Sequence, residues 1–369
     1  MAIFTNHTGC IGKSRLIDVL LRKGINIVKI FSPEHGFLGT FDDVVSVPNF
    51  CDNKTGIPIL SLWKGKNDKE NPENINLLNS GGKKPTSDEL SDVDVMVFDI
   101  QDVGVRFYTY LSNLQQFIEA AAENGKSLKI LDRPNPLGHY VDGPVLERGW
   151  ESFLGMQPIP VVYGMTIGEY AQMLIDQNWL SVSCVNLDYK IIPCKNYSHE
   201  HLYQLPINPS PNLTTMAAIY LYPSLCFIEG TPCSVGRGTK FPFRLYGSPY
   251  FPKNLFSFIP EERLGATNPK LRNQKCYGYL LARNKEDAIA LTGNNLQLKW
   301  ILNAYELFPF KELFFNSRFD LLAGSDQLRI AIIKNSSESM IRASWEPQLD
   351  EFKKIRKQYL LYPDCIDKN

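Results

Sequence analysis

Along the first third of the chain, short apolar runs alternate with compact polar clusters. The clearest case is Val95, Met96, Val97 and Phe98, an apolar run with β-branched members that reads as a buried strand. It stops at Asp99, Gln101 and Asp102, and Gly104 interrupts the backbone. A helical stripe follows, with Phe107, Leu111, Leu114, Phe117, Ile118 and Ala121 on one side and Gly125 as its stop. Residues 2–4 read as a strand entered in its middle, so a further N-terminal segment is expected before them. That strand closes in Thr5, Asn6 and His7 and leads to a helix over about residues 14–23. Residues 25–31 predict a second strand, closing in Ser32-Pro33-Glu34-His35-Gly36, and residues 57–62 a third. Residues 127–131 predict another, closing in Asp132-Arg133-Pro134-Asn135. Alternation of strand and helix over residues 2–131 implies a doubly wound, mostly parallel α/β sheet. In such sheets ligands bind outside the carboxyl ends of the strands, where these polar clusters fall. The Pro33–Gly36 turn should present Glu34 and His35 rather than pack them.

Beyond residue 139 the pattern is less regular. Gly143-Pro144-Val145-Leu146-Glu147 is a turn leading to a carboxylate. Thr166 and Glu169 have capping-box spacing, which assigns Glu169 to structure. Residues 187–193 predict a strand, whereas residues 64–85 are a polar loop without evident chemistry. Arg237, between Gly236 and Gly238, suits either a fork onto a ligand carboxylate or phosphate or a plain surface turn. After residue 241 the composition shifts to a smaller α/β unit. A strand is expected over 276–282, with amphipathic helices over 296–307 and 345–359. Polar clusters are few there, so this unit is expected to form a cleft wall. The expected division is a catalytic domain over residues 1–240 and a smaller one over 241–369.

Charge and composition narrow the chemistry. Lys plus Arg and Asp plus Glu both total 39, so no global field favours nucleic acid or an anionic membrane. No apolar run is long enough to span a bilayer. The 8 cysteines show neither paired nor metal-ligand spacing, and most are expected to be free core thiols. Gly9 to Ser14 resembles the end of a phosphate loop, but His7 stands where its first glycine is needed. A dinucleotide-type glycine fingerprint is also absent. No cofactor or metal is therefore expected.

Several motifs in order carry a family resemblance. They are Ser-Pro-Glu-His-Gly at 32–36, Asp-Ile-Gln-Asp-Val-Gly-Val-Arg-Phe-Tyr-Thr-Tyr at 99–110 and Leu-Asp-Arg-Pro-Asn-Pro-Leu-Gly at 131–138. Gly-Pro-Val-Leu-Glu at 143–147, Tyr-Gly-Met-Thr-Ile-Gly-Glu at 163–169, Pro-Ser-Pro-Asn at 209–212, Ile-Glu-Gly-Thr at 228–231 and Gly-Arg-Gly-Thr at 236–239 follow. The chain resembles the NamZ-type exo-β-N-acetylmuramidases, glycoside hydrolase family 171, over nearly its whole length. The resemblance implies a Rossmann-like domain plus a smaller one, with the site in the cleft between them. It also implies release of terminal N-acetylmuramic acid from the non-reducing ends of peptidoglycan fragments, and a periplasmic or secreted enzyme. Two positions depart from the family pattern. Val235 replaces a usual Glu, and Tyr163 a frequent His.

Glycoside hydrolysis needs a proton donor for the leaving oxygen and normally a second carboxylate. Glu34 is the expected acid, and Asp102, Glu147 and Glu229 are candidates for the second group. The substrate's own 2-acetamido group is an alternative nucleophile. Tyr108, Tyr110, Asn135 and Asn212 are expected to orient the sugar, with Asn6, His35, Asp99, Gln101 and Asp132 on the same edge. Arg106, Arg133 or Arg237 should neutralise the lactyl carboxylate, Arg237 being preferred for its flanking glycines. Two other readings compete. One is a metal-assisted hydrolase built on Glu34, His35, Asp99 and Asp102; the other is a protein that binds muropeptides without cleaving them.

Overall fold

The computed structural model describes residues 1–42, 46–63 and 82–364; most of the polar loop expected over 64–85 lies outside the described residues. Seven strands form the main sheet, in the order Tyr189–Ile192, Ser127–Leu131, Val95–Asp99, Ala2–Thr5, Lys29–Ser32, Pro58–Ser61 and Phe50–Cys51. All neighbours pair in parallel except the last, short edge strand. The chain winds outward from Ala2–Thr5 in one direction, then returns to Val95–Asp99 and winds outward in the other. That reversal creates a crevice at the carboxyl ends of these two strands. Register makes the ends level, because Phe4 pairs with both Phe31 and Phe98.

The apolar runs hold this centre together. The rings of Phe4 and Phe98 stack at 4.9 Å, and Phe117 packs on them from the helix Tyr110–Glu123 at 5.6 and 5.9 Å. Each buried Phe contributes about 1.5–3 kcal/mol relative to exposure. Thr166 and Glu169 form the expected capping box ahead of the helix Ile167–Asp176.

Two boundaries differ from expectation. Only Lys29–Ser32 of the second strand is laddered; ahead of it the contacts to the neighbouring strand are the Met1 amine to the Asn26 carbonyl at 3.0 Å and the Val28 amide to the Met1 carbonyl at 2.9 Å. The last helix runs Glu338–Arg356, starting earlier than its stripe indicated, since the Ser337 side chain caps it and Ile341 extends the buried face.

A three-stranded antiparallel sheet, Leu245–Ser248, Cys276–Leu280 and Phe256–Phe258, opens the smaller unit, and helices follow it. One continuous apolar cluster includes Phe4, Phe117, Tyr222, Phe243, Phe319 and Phe352, so the two units share a core. The chain end also returns to the first unit, where the Tyr362 hydroxyl donates to Asp132. Among the described residues all seven cysteines are free, but only Cys226, Cys233 and Cys276 are buried.

Candidate active site

Glu34 sits in a tight turn closed by a 2.8 Å bond from the Gly36 amide to the Pro33 carbonyl. Its Oε2 accepts a hydrogen bond from the Thr109 hydroxyl at 2.8 Å. Thr109 is the N-cap residue of the helix Tyr110–Glu123, yet its side chain makes no cap bond. The hydroxyl that would normally cap the helix is spent on Glu34 instead. His35 is more enclosed than the turn alone implied: it is 7% exposed, and its Nδ1 lies 2.8 Å from the Phe41 carbonyl.

Glu229 lines the same pocket from a different element. It lies in the 3-10 turn Cys226–Gly230, at the end of the helix Met216–Leu225. Gly230 is required there, because a Cβ would fall 2.5 Å from the Cα of Phe319. The close approach carries the helix Ser317–Ala323 onto the turn and brings Arg318 to the pocket wall. Arg237 forks onto Glu229, with Nε to Oε1 at 2.6 Å and the second nitrogen to Oε2 at 3.2 Å. Glu34, Glu229, Tyr108, Asn212, Arg237 and Arg318 all line one pocket at the switch-point crevice.

The other polar residues of this edge are mostly turned inward. Asp99 accepts a two-pronged ion pair from Arg133, at 2.8 and 2.5 Å. Asp132 accepts from the Gly168 amide, the Thr166 hydroxyl and Tyr362. Asn135 bonds the Met165 carbonyl and the Leu137 amide, and Gln101 bonds the Asp102 and Pro134 carbonyls. Asn6 donates to the Tyr110 hydroxyl at 3.0 Å, while Tyr108 and Tyr110 both donate to the Pro209 carbonyl, at 3.1 and 3.5 Å. These bonds hold the loops that carry the pocket. Of the group, only Tyr108 reaches the pocket wall. Asn6, Asp99, Gln101, Tyr110, Asp132 and Asn135, expected to contact substrate, do not line the pocket; they are buried and bonded within the protein, which gives them a bracing role.

Three further expectations change. Arg106 is 1% exposed and donates to the carbonyls of Pro144, Ile159 and Leu322, at 2.8 Å each, so it ties chain segments together and cannot reach a sugar. Arg133 is occupied by Asp99. Glu147 lines a separate cavity beside Trp345 and Met340, which removes it from the candidates for the second carboxylate. As for a metal site, no three His, Cys, Asp or Glu side chains converge to hold an ion among the described residues. Asp99 and Asp102 are turned to Arg133 and to Tyr163 respectively.

Asp102, another candidate for the second carboxylate, is buried and does not line the pocket. Its Oδ2 accepts from the Tyr163 hydroxyl and the Gly104 amide, both at 2.6 Å. Burial pushes its pKa up to about 6, against the opposing pull of those bonds. The unfolded chain loses this proton near the ordinary carboxylate value of 3.8, while the folded protein keeps it to about 6. Stability contributed by Asp102 thus falls as pH rises from about 4 to 6, by about 3 kcal/mol in all, and is level above that. Asp102→Asn does not titrate, so its stability relative to the parent should climb by about that amount between pH 3.5 and 7. Paired urea melts across this range check it; a flat difference would rule out the shift.

Sequence patterns passed over Thr109, Arg318, Tyr222 and Phe243, which also line the pocket. Thr109 was within the longest motif, between two tyrosines. Arg318 lies in a polar stretch, Asn316-Ser317-Arg318-Phe319-Asp320, that reads as an ordinary helix start, and its fellow pocket residues come from other elements.

Comparison with known proteins agrees with the geometry. Residues 1–217 match the family described as exo-beta-N-acetylmuramidase NamZ, N-terminal, and residues 220–362 match its C-terminal counterpart. The chain is 35% identical to the peptidoglycan beta-N-acetylmuramidase NamZ of Bacillus subtilis (strain 168), over 94% of this chain and 82% of that protein. Two crystal structures of DUF1343 family proteins from Bacteroides fragilis NCTC 9343 share the fold. One has a TM-score of 0.85 at 43% identity, covering 99% of this chain and 94% of that one. The other has a TM-score of 0.75 at 26% identity, covering 98% and 93%.

Proposed function

Because the chain belongs to the NamZ family of exo-β-N-acetylmuramidases, we propose that its Glu34 and Glu229 are the carboxylates that cleave the glycosidic bond. The protein is a glycoside hydrolase acting on peptidoglycan, and it releases N-acetylmuramic acid from non-reducing ends. The observation that carries the assignment is that these two carboxylates, from distant parts of the chain, line one pocket.

Their surroundings divide the work. Glu34, presented in the turn after the strand Lys29–Ser32 with the Thr109 hydroxyl on its Oε2, is the acid that protonates the leaving oxygen. Glu229, ion-paired with Arg237, is the carboxylate that attacks the anomeric carbon or activates a water to do so. Tyr108 and Asn212 position the sugar from the wall. Arg318 supplies positive charge at the pocket wall for the lactyl carboxylate, while Arg237 holds Glu229. Muropeptides and disaccharides with a terminal muramic acid are the substrates we assign, with the enzyme acting in the periplasm or outside the cell, where the polymer lies.

A disaccharide of N-acetylmuramic acid linked to N-acetylglucosamine should be split to its monosaccharides. The reversed disaccharide, with the muramic acid at the reducing end, should remain intact. Chromatography of the two digests decides it. Cleavage of both, or of neither, would defeat the exo-acting reading.

A further inference from the structure

Residues 261–270 of the smaller unit form a strap with no regular helix or strand of its own beyond one bridged turn. Their polar groups reach the segments that carry Arg237, Asn212 and Glu229, and Asp42, which lies past the Glu34 turn. The Glu261 amide donates to the Gly238 carbonyl at 2.9 Å, beside Arg237. Gly238 has a φ of +77°, and a Cβ there would lie 2.4 Å from the Glu261 carbonyl, so only glycine lets the strap pass this close. The Gly265 carbonyl accepts from Asn212 at 2.6 Å. Lys270 donates to the carbonyls of Glu229 and Thr231. Thr267 donates to Asp42 through its amide at 2.8 Å and also through its hydroxyl.

The last two contacts bear on the carboxylates. Asp42 is 6% exposed and follows Phe41, which is bonded to His35 in both directions, at 3.3 and 2.8 Å. His35 adjoins Glu34. The Asp42–Thr267 contact therefore anchors the loop that holds Glu34, and Lys270 clamps the turn that holds Glu229. Those two loops belong to different elements and are far apart in sequence. The strap touches both.

Resting on the assignment of Glu34 and Glu229 as the reacting pair, we infer that the strap sets their separation, with Asp42, Thr267 and Lys270 as positioning residues that do not touch the sugar. Carboxylate separation decides whether a water fits between carboxylate and sugar, and a displacement of about 1 Å can cost about a hundredfold in rate. A brace from a second unit is a direct way to hold that distance.

Asp42→Ala and Lys270→Met remove the contacts, while Asp42→Asn keeps an oxygen for both Thr267 donors and Lys270→Arg keeps donors for both carbonyls. On the muramic acid disaccharide, the first pair should lower kcat about tenfold to a hundredfold with KM within about threefold, and the second pair should recover most of the loss. If Asp42→Ala does not fold, Thr267→Val, which removes only the hydroxyl bond, should still lower kcat several-fold. Unchanged kcat in the folded loss variants would overturn the inference, as would equal losses in the conservative ones. Glu34→Gln and Glu229→Gln run alongside separate the two levels. If those variants stay active, the catalytic assignment fails; if they are inactive while the strap variants are normal, only the strap inference fails.

Discussion

Glu34→Gln is expected to fold like the parent and to lose at least about a hundredfold in turnover on the disaccharide, the usual scale for losing general acid help. The folding half of this result follows from the turn: Glu34 is only partly buried, and a Gln oxygen can still accept the Thr109 hydroxyl now bonded at 2.8 Å. The kinetic half follows from the leaving group. A sugar hydroxyl leaves poorly as an alkoxide and depends on proton donation, whereas 4-nitrophenolate leaves with little help. Loss on 4-nitrophenyl N-acetylmuramide should therefore be much smaller than on the disaccharide. Equal losses on both would place Glu34 in another role, and near-normal rates on both would remove it from the chemistry.

Glu229→Gln should lose activity on both substrates alike, by about a hundredfold to ten-thousandfold, because attack at the anomeric carbon is needed whatever leaves. Product stereochemistry measured by NMR on the parent separates direct attack from activation of water: retention fits the first and inversion the second. The same geometry changes what Arg237→Ala should do. Flanking glycines favoured a lactyl contact and selective loss on the muramide. With its guanidinium forked onto Glu229 and the two side chains 19% and 13% exposed, Arg237 instead supports a group needed for either sugar. Muramide and glucosaminide rates should then fall together, with their ratio kept within about threefold. Removing one partner of a largely buried pair should also cost about 3–5 kcal/mol of stability, visible as a lowered melting temperature. A selective loss on the muramide would restore the lactyl contact and weaken the case for Glu229.

Period and punctuation sufficed for the strand–helix order. Val95–Asp99, Ser127–Leu131, Pro58–Ser61 and the helix Tyr110–Glu123 fall where their apolar residues and flanking glycines indicate. These signals are local, because side-chain periodicity reports one face of one element at a time. The crevice was legible too, since parallel winding places every polar strand end on one edge. Ordered motifs led to the family, and with it to the reaction. Glu34 and Glu229 both stood among the candidates.

What folding alone decided is which polar side chains face out. Asp99, Asp132, Asn135 and Arg106 look in sequence like any ligand-binding set, but each finds its partner from a distant segment and is consumed there. A buried polar group left unpaired costs about 1–3 kcal/mol, so the fold must satisfy these groups internally before any can serve a ligand. That accounting depends on contacts such as Arg106 to Leu322 and Asp132 to Tyr362, which no local spacing encodes. For the same reason Arg318 and Lys270 carry no mark in sequence. Their roles arise only where Gly230 lets the helix Ser317–Ala323 settle against the Glu229 turn, and where the strap passes against Gly238.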